Sequence, residues 1–265
     1  MTETFGVVSA EVQGAGPTLW LFHSLLADAG SCAPLASALA ASHRVILPDL
    51  PGFGGTPAAG PGLEAVADRM AEAVAAAGGP AVVMGNGYGS FVALLLALRH
   101  PDLVSRLVLA GTGAAFSEPG RAAFTGMATA AGARGLGAIA DTAMRRLFAP
   151  GFQADHPELM AERRTRFLAT DPAVFTAACT ALAALDLRGQ VGRLSIPVLV
   201  LVGAEDEATP PAMARELAGL LPDADLVEMP GLAHVPQLQD TPGFVRAIEG
   251  FIVPSQVQGR QQATG

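Results

Sequence analysis

The sequence predicts an α/β protein built on a mostly parallel central sheet, and three observations carry that expectation. Short runs of β-branched and aliphatic residues recur along the chain, alanine-rich segments of helical period lie between them, and Gly/Pro/Asp clusters mark the joins. A parallel sheet buries both of its faces, so its strands read as unbroken apolar runs.

Taken in order, the strand candidates are "TLWLFH" (18–23), "HRVILPD" (43–49), "PAVVMG" (80–85), "SRLVLAG" (105–111), "IPVLVLVG" (196–203) and "ADLVEMP" (224–230). Helices are expected between them at 34–41, 63–77, 90–99, 211–221 and 241–251. Trp20 and the aliphatic strand residues are core candidates. The rhythm breaks between residues 114 and 187, where the sequence turns almost wholly helical and offers no strand. This predicts a sheet core of residues 1–113 and 188–265, interrupted by a helical cap at 114–187. The polar tail "VPSQVQGRQQATG" is expected to fray.

Composition narrows the function. Of 265 residues 51% are hydrophobic and 15% charged, which belongs to a folded globular chain rather than a disordered one. The net charge is −8, and all 16 basic residues are scattered arginines, so nucleic acid is not an expected partner. Cys32 and Cys179 have no metal-ligand spacing and read as buried thiols in a reducing compartment. The N-terminus has no basic segment followed by a long apolar one, and no apolar run reaches membrane-spanning length. A cytoplasmic protein with no membrane partner is expected, and self-assembly into a homo-oligomer stays open.

The chemistry gathers at "VVMGNGYGS" (82–90). A strand, a sharp glycine-flanked turn and a helix form the nucleophile elbow, G-x-S-x-G, whose apex stands above the carboxyl end of the sheet. Here Gly85 and Gly89 flank the turn and the apex is Gly87. A phosphate-binding turn is the plain alternative, but the G-x-G-x-x-G spacing fails at Ser90. The expected partners follow in order. "LVGAEDEATPP" places Asp206 after one strand, with Glu205 a competitor that the spacing from Gly203 disfavours, and "MPGLAHVPQLQD" places His234 after the next. Nucleophile position, acid, base is the chain order of this elbow architecture. "WLFHSLLAD" ends a strand at His23 and Ser24 and then turns, so the backbone N–H groups of Leu25 and Tyr88 can converge on one oxyanion. His23 itself reads as a structural histidine.

The segments "FHSLLAD", "VILPDLPGFGGT", "GNGYGS", "GAEDEATPP" and "GLAHVPQ" resemble the α/β-hydrolase superfamily from about residue 18 to residue 251. The stretches "LFAPGF" and "RFLATDPAVFTAACTALAALDLRGQVGRLSIPVLVLVGAEDEATPP" are similar to the 3-oxoadipate enol-lactonase branch, and "GN-x-YG" is similar to the carbon-carbon hydrolases of ring-cleavage products. The resemblance implies a helical cap over the active site and no cofactor. It implies Asp206 and His234 as acid and base, Leu25 and Tyr88 as oxyanion donors, and a small ester, lactone or β-diketone-like substrate. Gly87 stands where the family pattern has serine.

Three readings of Gly87 stand side by side. The chain is an inactivated serine hydrolase, native or engineered; or His234, oriented by Asp206, activates a water directly; or a relative without catalysis keeps the pocket for binding. A lyase or isomerase using His234 alone is a further alternative. Glycine suits the strained apex, so folding survives the replacement. Ser90 is expected to cap its helix, and Ser24 to border the substrate with Phe53 as a lining residue. Arg163 and Arg166 are expected on a solvated helix face. His43, His100 and His156 stand outside any cluster, so no metal is expected.

Overall fold

The computed structural model of the chain describes residues 1–253, and the tail expected to fray lies, from residue 254 on, outside them. Eight strands are present: β1 (Thr2–Phe5), β2 (Val8–Gln13), β3 (Thr18–Phe22), β4 (Arg44–Pro48), β5 (Ala81–Asn86), β6 (Val104–Ala110), β7 (Val198–Gly203) and β8 (Ala224–Met229). They form one sheet in the order β1-β2-β4-β3-β5-β6-β7-β8. The first two strands are antiparallel to their neighbours and the rest pair in parallel. All six strands read from the sequence are found. The hairpin β1–β2 was not anticipated.

Helices α1 (Ala33–Leu39), α2 (Gly62–Ala76) and α3 (Tyr88–Arg99) connect the early strands. Between β6 and β7 lie α4 (Glu118–Arg134), α5 (Ala140–Leu147), α6 (Pro150–Asp155), α7 (Pro157–Leu168) and α8 (Pro172–Ala184), followed later by α9 (Pro211–Leu220), α10 (Pro236–Gln239) and α11 (Thr241–Ile252). The insertion is therefore helical, as its composition predicts. Ser117 accepts from the Gly120 N–H and Asp171 from the Ala173 N–H, so α4 and α8 each start with a side-chain cap and a proline in the first turn. At its base a bridge between Ala115 and Asp186, with Leu187 N–H donating to the Ala114 carbonyl at 2.8 Å, brings the two ends together.

Alternation along the buried strands feeds two cores. Leu19, Leu21, Val82, Met84, Leu199 and Leu201 face α1 and α11. On α11 the apolar stripe Phe244, Ile248, Ile252 recurs every four residues and is wholly buried. Full burial of each such side chain is worth about 1.5–3 kcal/mol. Trp20, Phe22, Val83, Leu107, Leu109 and Val200 face the other way, in the core that α2, α3 and the insertion share. Among the described residues no single helix is long and apolar enough to cross a membrane.

The topology locates the crevice. From β3 the chain steps one way to β4 and then returns to β5 on the other side of β3, and ligands of open α/β sheets bind at the carboxyl ends of strands where connections diverge in this way. Phe22 pairs in register with Gly85. The residues two positions beyond that pair, Ser24 and Gly87, therefore leave neighbouring strands at the same level.

One expectation for the insertion fails. Arg163, placed on a solvated face by helical period, is buried, with Nη1 2.8 Å from Asp28 Oδ1 and Nη2 2.6 Å from Glu162 Oε1. Arg166 stays largely exposed, 3.7 Å from the same aspartate. The acid that draws Arg163 inward lies 135 positions away, beyond the reach of any local period.

Candidate active site

The turn after β5 sets the geometry. Gly87 has φ +51° and ψ −118°, a region that residues with a Cβ enter only under strain. The flanking glycines are there for close approach: a Cβ on Gly85 would collide with the Gly89 carbonyl, and one on Gly89 with the Phe22 carbonyl. The turn thus packs against the end of β3, with Gly89 N–H donating to the His23 carbonyl at 3.1 Å and Gly87 N–H to the Ala110 carbonyl at 2.9 Å. Ser90 does not cap the helix. Its hydroxyl donates to the Ala110 carbonyl at 2.8 Å, which ties the first turn of α3 to the end of β6.

Asp206 and His234 meet beside that apex. His234 Nδ1 lies 2.9 Å from Asp206 Oδ2, and both side chains are buried. The carboxylate is held on its other sides by the N–H groups of Ala208 and Thr209 and by the Thr209 hydroxyl at 2.7 Å. Since that hydroxyl spends its proton on Asp206, the carboxylate takes the Nδ1 proton of His234 and Nε2 is left as an acceptor. Burial by itself would raise the Asp206 carboxyl, but the nearby His234 and the hydrogen bonds from His234 and Thr209 win, so it sits below its ordinary value. Glu205, the rival acid, is exposed.

Asn86, just before the apex, anchors the histidine loop. Its Nδ2 donates to the His234 carbonyl at 2.8 Å, and Gln237 donates to its Oδ1 at 3.1 Å. Sequence reasoning missed Asn86, Gln237 and Thr209. The nearest signal was the hydroxyl three residues after Asp206 in "DEAT".

His234 opens onto a cleft of about 40 Å³, bounded by Ser24, Gly87 and Phe91 on the sheet side and by Phe124, Met127 and Leu182 of the insertion. Leu25 and Tyr88 both line it. Tyr88 opens α3, where a backbone N–H has no carbonyl one turn earlier. Neither N–H enters a turn, loop or cap hydrogen bond among the described residues. Ser24 Oγ stands 3.4 Å from His234 Nε2. His23 accepts from the Leu50 N–H at 3.2 Å and so donates through Nδ1 to the Ser24 carbonyl at 3.0 Å; it is buried, and burial lowers its pKa. That is a structural histidine, as expected.

Phe53 is not part of the lining. Its ring packs edge-on against His23 at 4.8 Å and tilts toward Tyr88 at 6.3 Å, one layer behind the cleft. Cys32 and Cys179 are free and buried, each thiol pushed up to about 12 by desolvation, which makes them unreactive. Among the described residues no three His, Cys, Asp or Glu side chains are placed to hold a metal ion. One cation reaches the cleft: Arg146 of α5 lines it and enters no ion pair among the described residues, although Glu205 and Glu207 share a neighbouring cavity with it.

A mostly parallel sheet with an elbow after β5, an acid after β7 and a histidine after β8 defines the α/β-hydrolase class. The chain belongs to the alpha/beta hydrolase fold family, whose family model matches residues 17–241, and is by descent a hydrolase of that superfamily. It is 34% identical over 244 residues to a pimeloyl-acyl-carrier protein methyl ester esterase of Chromobacterium violaceum, covering 90% of this chain and 95% of that one. Among solved structures it is similar to a thermophilic esterase from Thermogutta terrifontis, with TM-score 0.84, 28% identity and coverage of 94% and 96%. It is also similar to the enol-lactonase from Burkholderia xenovorans LB400, with TM-score 0.87, 26% identity and coverage of 95% and 99%.

Proposed function

We propose that the chain hydrolyses a small carboxylic ester or lactone that carries a second, anionic group. One observation carries this reading: an imidazole with its lone pair facing a mainly apolar cleft beneath the insertion, and its other nitrogen held by a buried carboxylate. His234 is then the general base that takes the proton of the attacking O–H, and Asp206 holds it in the required tautomer. The N–H groups of Leu25 and Tyr88 receive the charge that develops on the carbonyl oxygen. Helices α4, α5 and α8 act as a cap that excludes water, and water is the final acyl acceptor. Position 87 contributes no hydroxyl, and the reaction does not route through it.

Arg146 sets the substrate class. A guanidinium without an ion-pair partner on a mainly apolar lining favours a carboxylate, which it can hold by two parallel hydrogen bonds. The relatives support the bond type, since one is named as a methyl ester esterase and another as an enol-lactonase; the anionic group rests on Arg146. The different-class reading, a relative that binds such acids without turnover, is favoured by the glycine at the apex alone.

The test compares p-nitrophenyl butyrate with the half-ester p-nitrophenyl glutarate. Hydrolysis above the buffer rate is expected for both, with kcat/KM at least about 10-fold higher for the half-ester and the preference abolished in Arg146→Ala. No turnover of either ester, with glutarate still bound, would establish the binding reading instead.

A further inference from the structure

We propose that Ser24 is the nucleophile, supplied from the end of β3 in place of the absent side chain at the elbow. The inference rests on the hydrolase reading above and names the O–H group that His234 deprotonates.

Register is the first ground. Ser24 and Gly87 lie two residues beyond the Phe22–Gly85 pair on adjacent parallel strands, so a side chain from either can reach the same point above the sheet. Distance is the second. Ser24 Oγ is 3.4 Å from His234 Nε2, and only 2.7 Å from the point a Cβ on residue 87 would occupy. The serine hydroxyl therefore borders the space that an elbow side chain would fill. Catalytic hydrogen bonds of unliganded sites are often this long and shorten when substrate binds.

Elimination is the third ground. Three cleft-lining residues carry a hydroxyl: Ser24, Tyr88 and Thr209. Thr209 is committed to Asp206, and burial raises the Tyr88 phenol above its ordinary value. Ser24 Oγ has no described partner except Nε2. Its backbone is fixed, since the Ser24 carbonyl accepts from both His23 Nδ1–H and the Ala27 N–H. The oxyanion donors keep their relation to the nucleophile as well. In an ordinary elbow one donor is the N–H of the residue after the nucleophile and the other comes from the loop after β3. With Ser24 attacking, Leu25 becomes the following residue and Tyr88 the donor across the cleft, so the two walls exchange roles.

The steps balance without a cofactor. His234 Nε2 takes the Ser24 hydroxyl proton as Oγ bonds to the ester carbon, and the carbonyl π pair moves onto the oxygen held by Leu25 and Tyr88. Collapse of this adduct breaks the bond to the leaving alcohol, which departs with the proton from Nε2. Water then adds to the Ser24 ester by the same path, His234 taking its proton and returning it to Oγ.

The experiment is acid quench of the unaltered protein during p-nitrophenyl butyrate turnover, with intact mass and peptide mapping, alongside Ser24→Ala, Ser24→Cys and His234→Ala. The expected result is a butyryl adduct on the peptide bearing Ser24, loss of both adduct and at least about 100-fold of kcat in Ser24→Ala, and restoration of an adduct in Ser24→Cys. Turnover by Ser24→Ala at the unaltered rate, or an adduct elsewhere, would overturn the proposal. In that event loss of turnover in His234→Ala leaves direct water attack and the hydrolase reading intact. Retention of turnover in His234→Ala removes that reading too. Circular dichroism of each variant, and the adduct map of the unaltered chain, keep a folding defect from imitating a chemical one.

Discussion

Asn86 donates through Nδ2 to the backbone carbonyl of His234 at 2.8 Å, across 148 positions of sequence. The residue before the elbow apex therefore ties the end of β5 to the loop that carries the base. Asn86→Ala leaves the His234 carbonyl and the Gln237 amide buried without a partner, at about 1–3 kcal/mol. Asn86→Asp is expected to be worse, because it sets an acceptor against that carbonyl. Thermal melts give the stability order, and kcat on p-nitrophenyl butyrate falls with KM nearly unchanged, since the cleft lining is intact.

Placing serine at the apex tests how the cleft is shared. A Cβ on residue 87 would lie 2.7 Å from both His234 Nε2 and Ser24 Oγ, so the Ser24 hydroxyl must rotate away and the ring must give. The φ of +51° adds about 1–3 kcal/mol of strain. Gly87→Ser is expected to lose stability by that amount and to gain an acyl-enzyme burst mapped to residue 87. Adding Ser24→Ala relieves one contact, so the double variant melts higher than Gly87→Ser alone and keeps the burst.

The Asp206 carboxyl sits below its ordinary 3.8, so its contribution to stability is complete above that value and is lost as pH falls through the lower folded value. Asp206→Asn removes it at every pH. The Tm gap between the two proteins is therefore widest near pH 7 and narrows as the pH drops below about 4. At pH 7 the same variant inverts the preferred imidazole tautomer, and kcat falls by about 10²–10⁴.

The insertion is pinned to the loop that carries Ser24 and Leu25 by Asp28, which pairs with the buried Arg163 of α7 at 2.8 Å and more loosely with Arg166 of the same helix at 3.7 Å. The Arg163 side chain is 5% exposed and the aspartate 27%. Removing the acid strands part of a buried charge, whereas removing the base frees a carboxylate that water can reach. Asp28→Ala is expected to cost about 3 kcal/mol and Arg163→Met less, as read by urea unfolding. Both loosen the cleft and raise KM for the half-ester.

The parallel strands were legible because burial on both faces leaves nothing polar in runs such as Val198–Gly203. The hairpin of β1 and β2 was not, since an edge element exposed on one face mixes Thr, Glu, Ser and Gln into its strands and blurs the period. Gly87, Asp206 and His234 could be placed from strand ends alone. The direction of the Ser24 side chain could not, because it follows from the Phe22–Gly85 register, which no single strand encodes. Phe53 looked like a lining residue for its aromatic ring in a glycine loop, yet the buried His23 ring captures it. Arg163 was misplaced for a similar reason: helical period reports the side of a helix, and the partner that makes that side interior is elsewhere in the chain.

The central claim is that the His234 imidazole drives ester cleavage although the elbow carries glycine. The most direct measurement is kcat/KM for p-nitrophenyl glutarate at pH 7.5 in the unaltered chain and in folded His234→Ala, both corrected for the buffer rate. The account predicts a clear enzymatic rate in the first and a loss of at least about 100-fold in the second. Equal rates in the two proteins would contradict it.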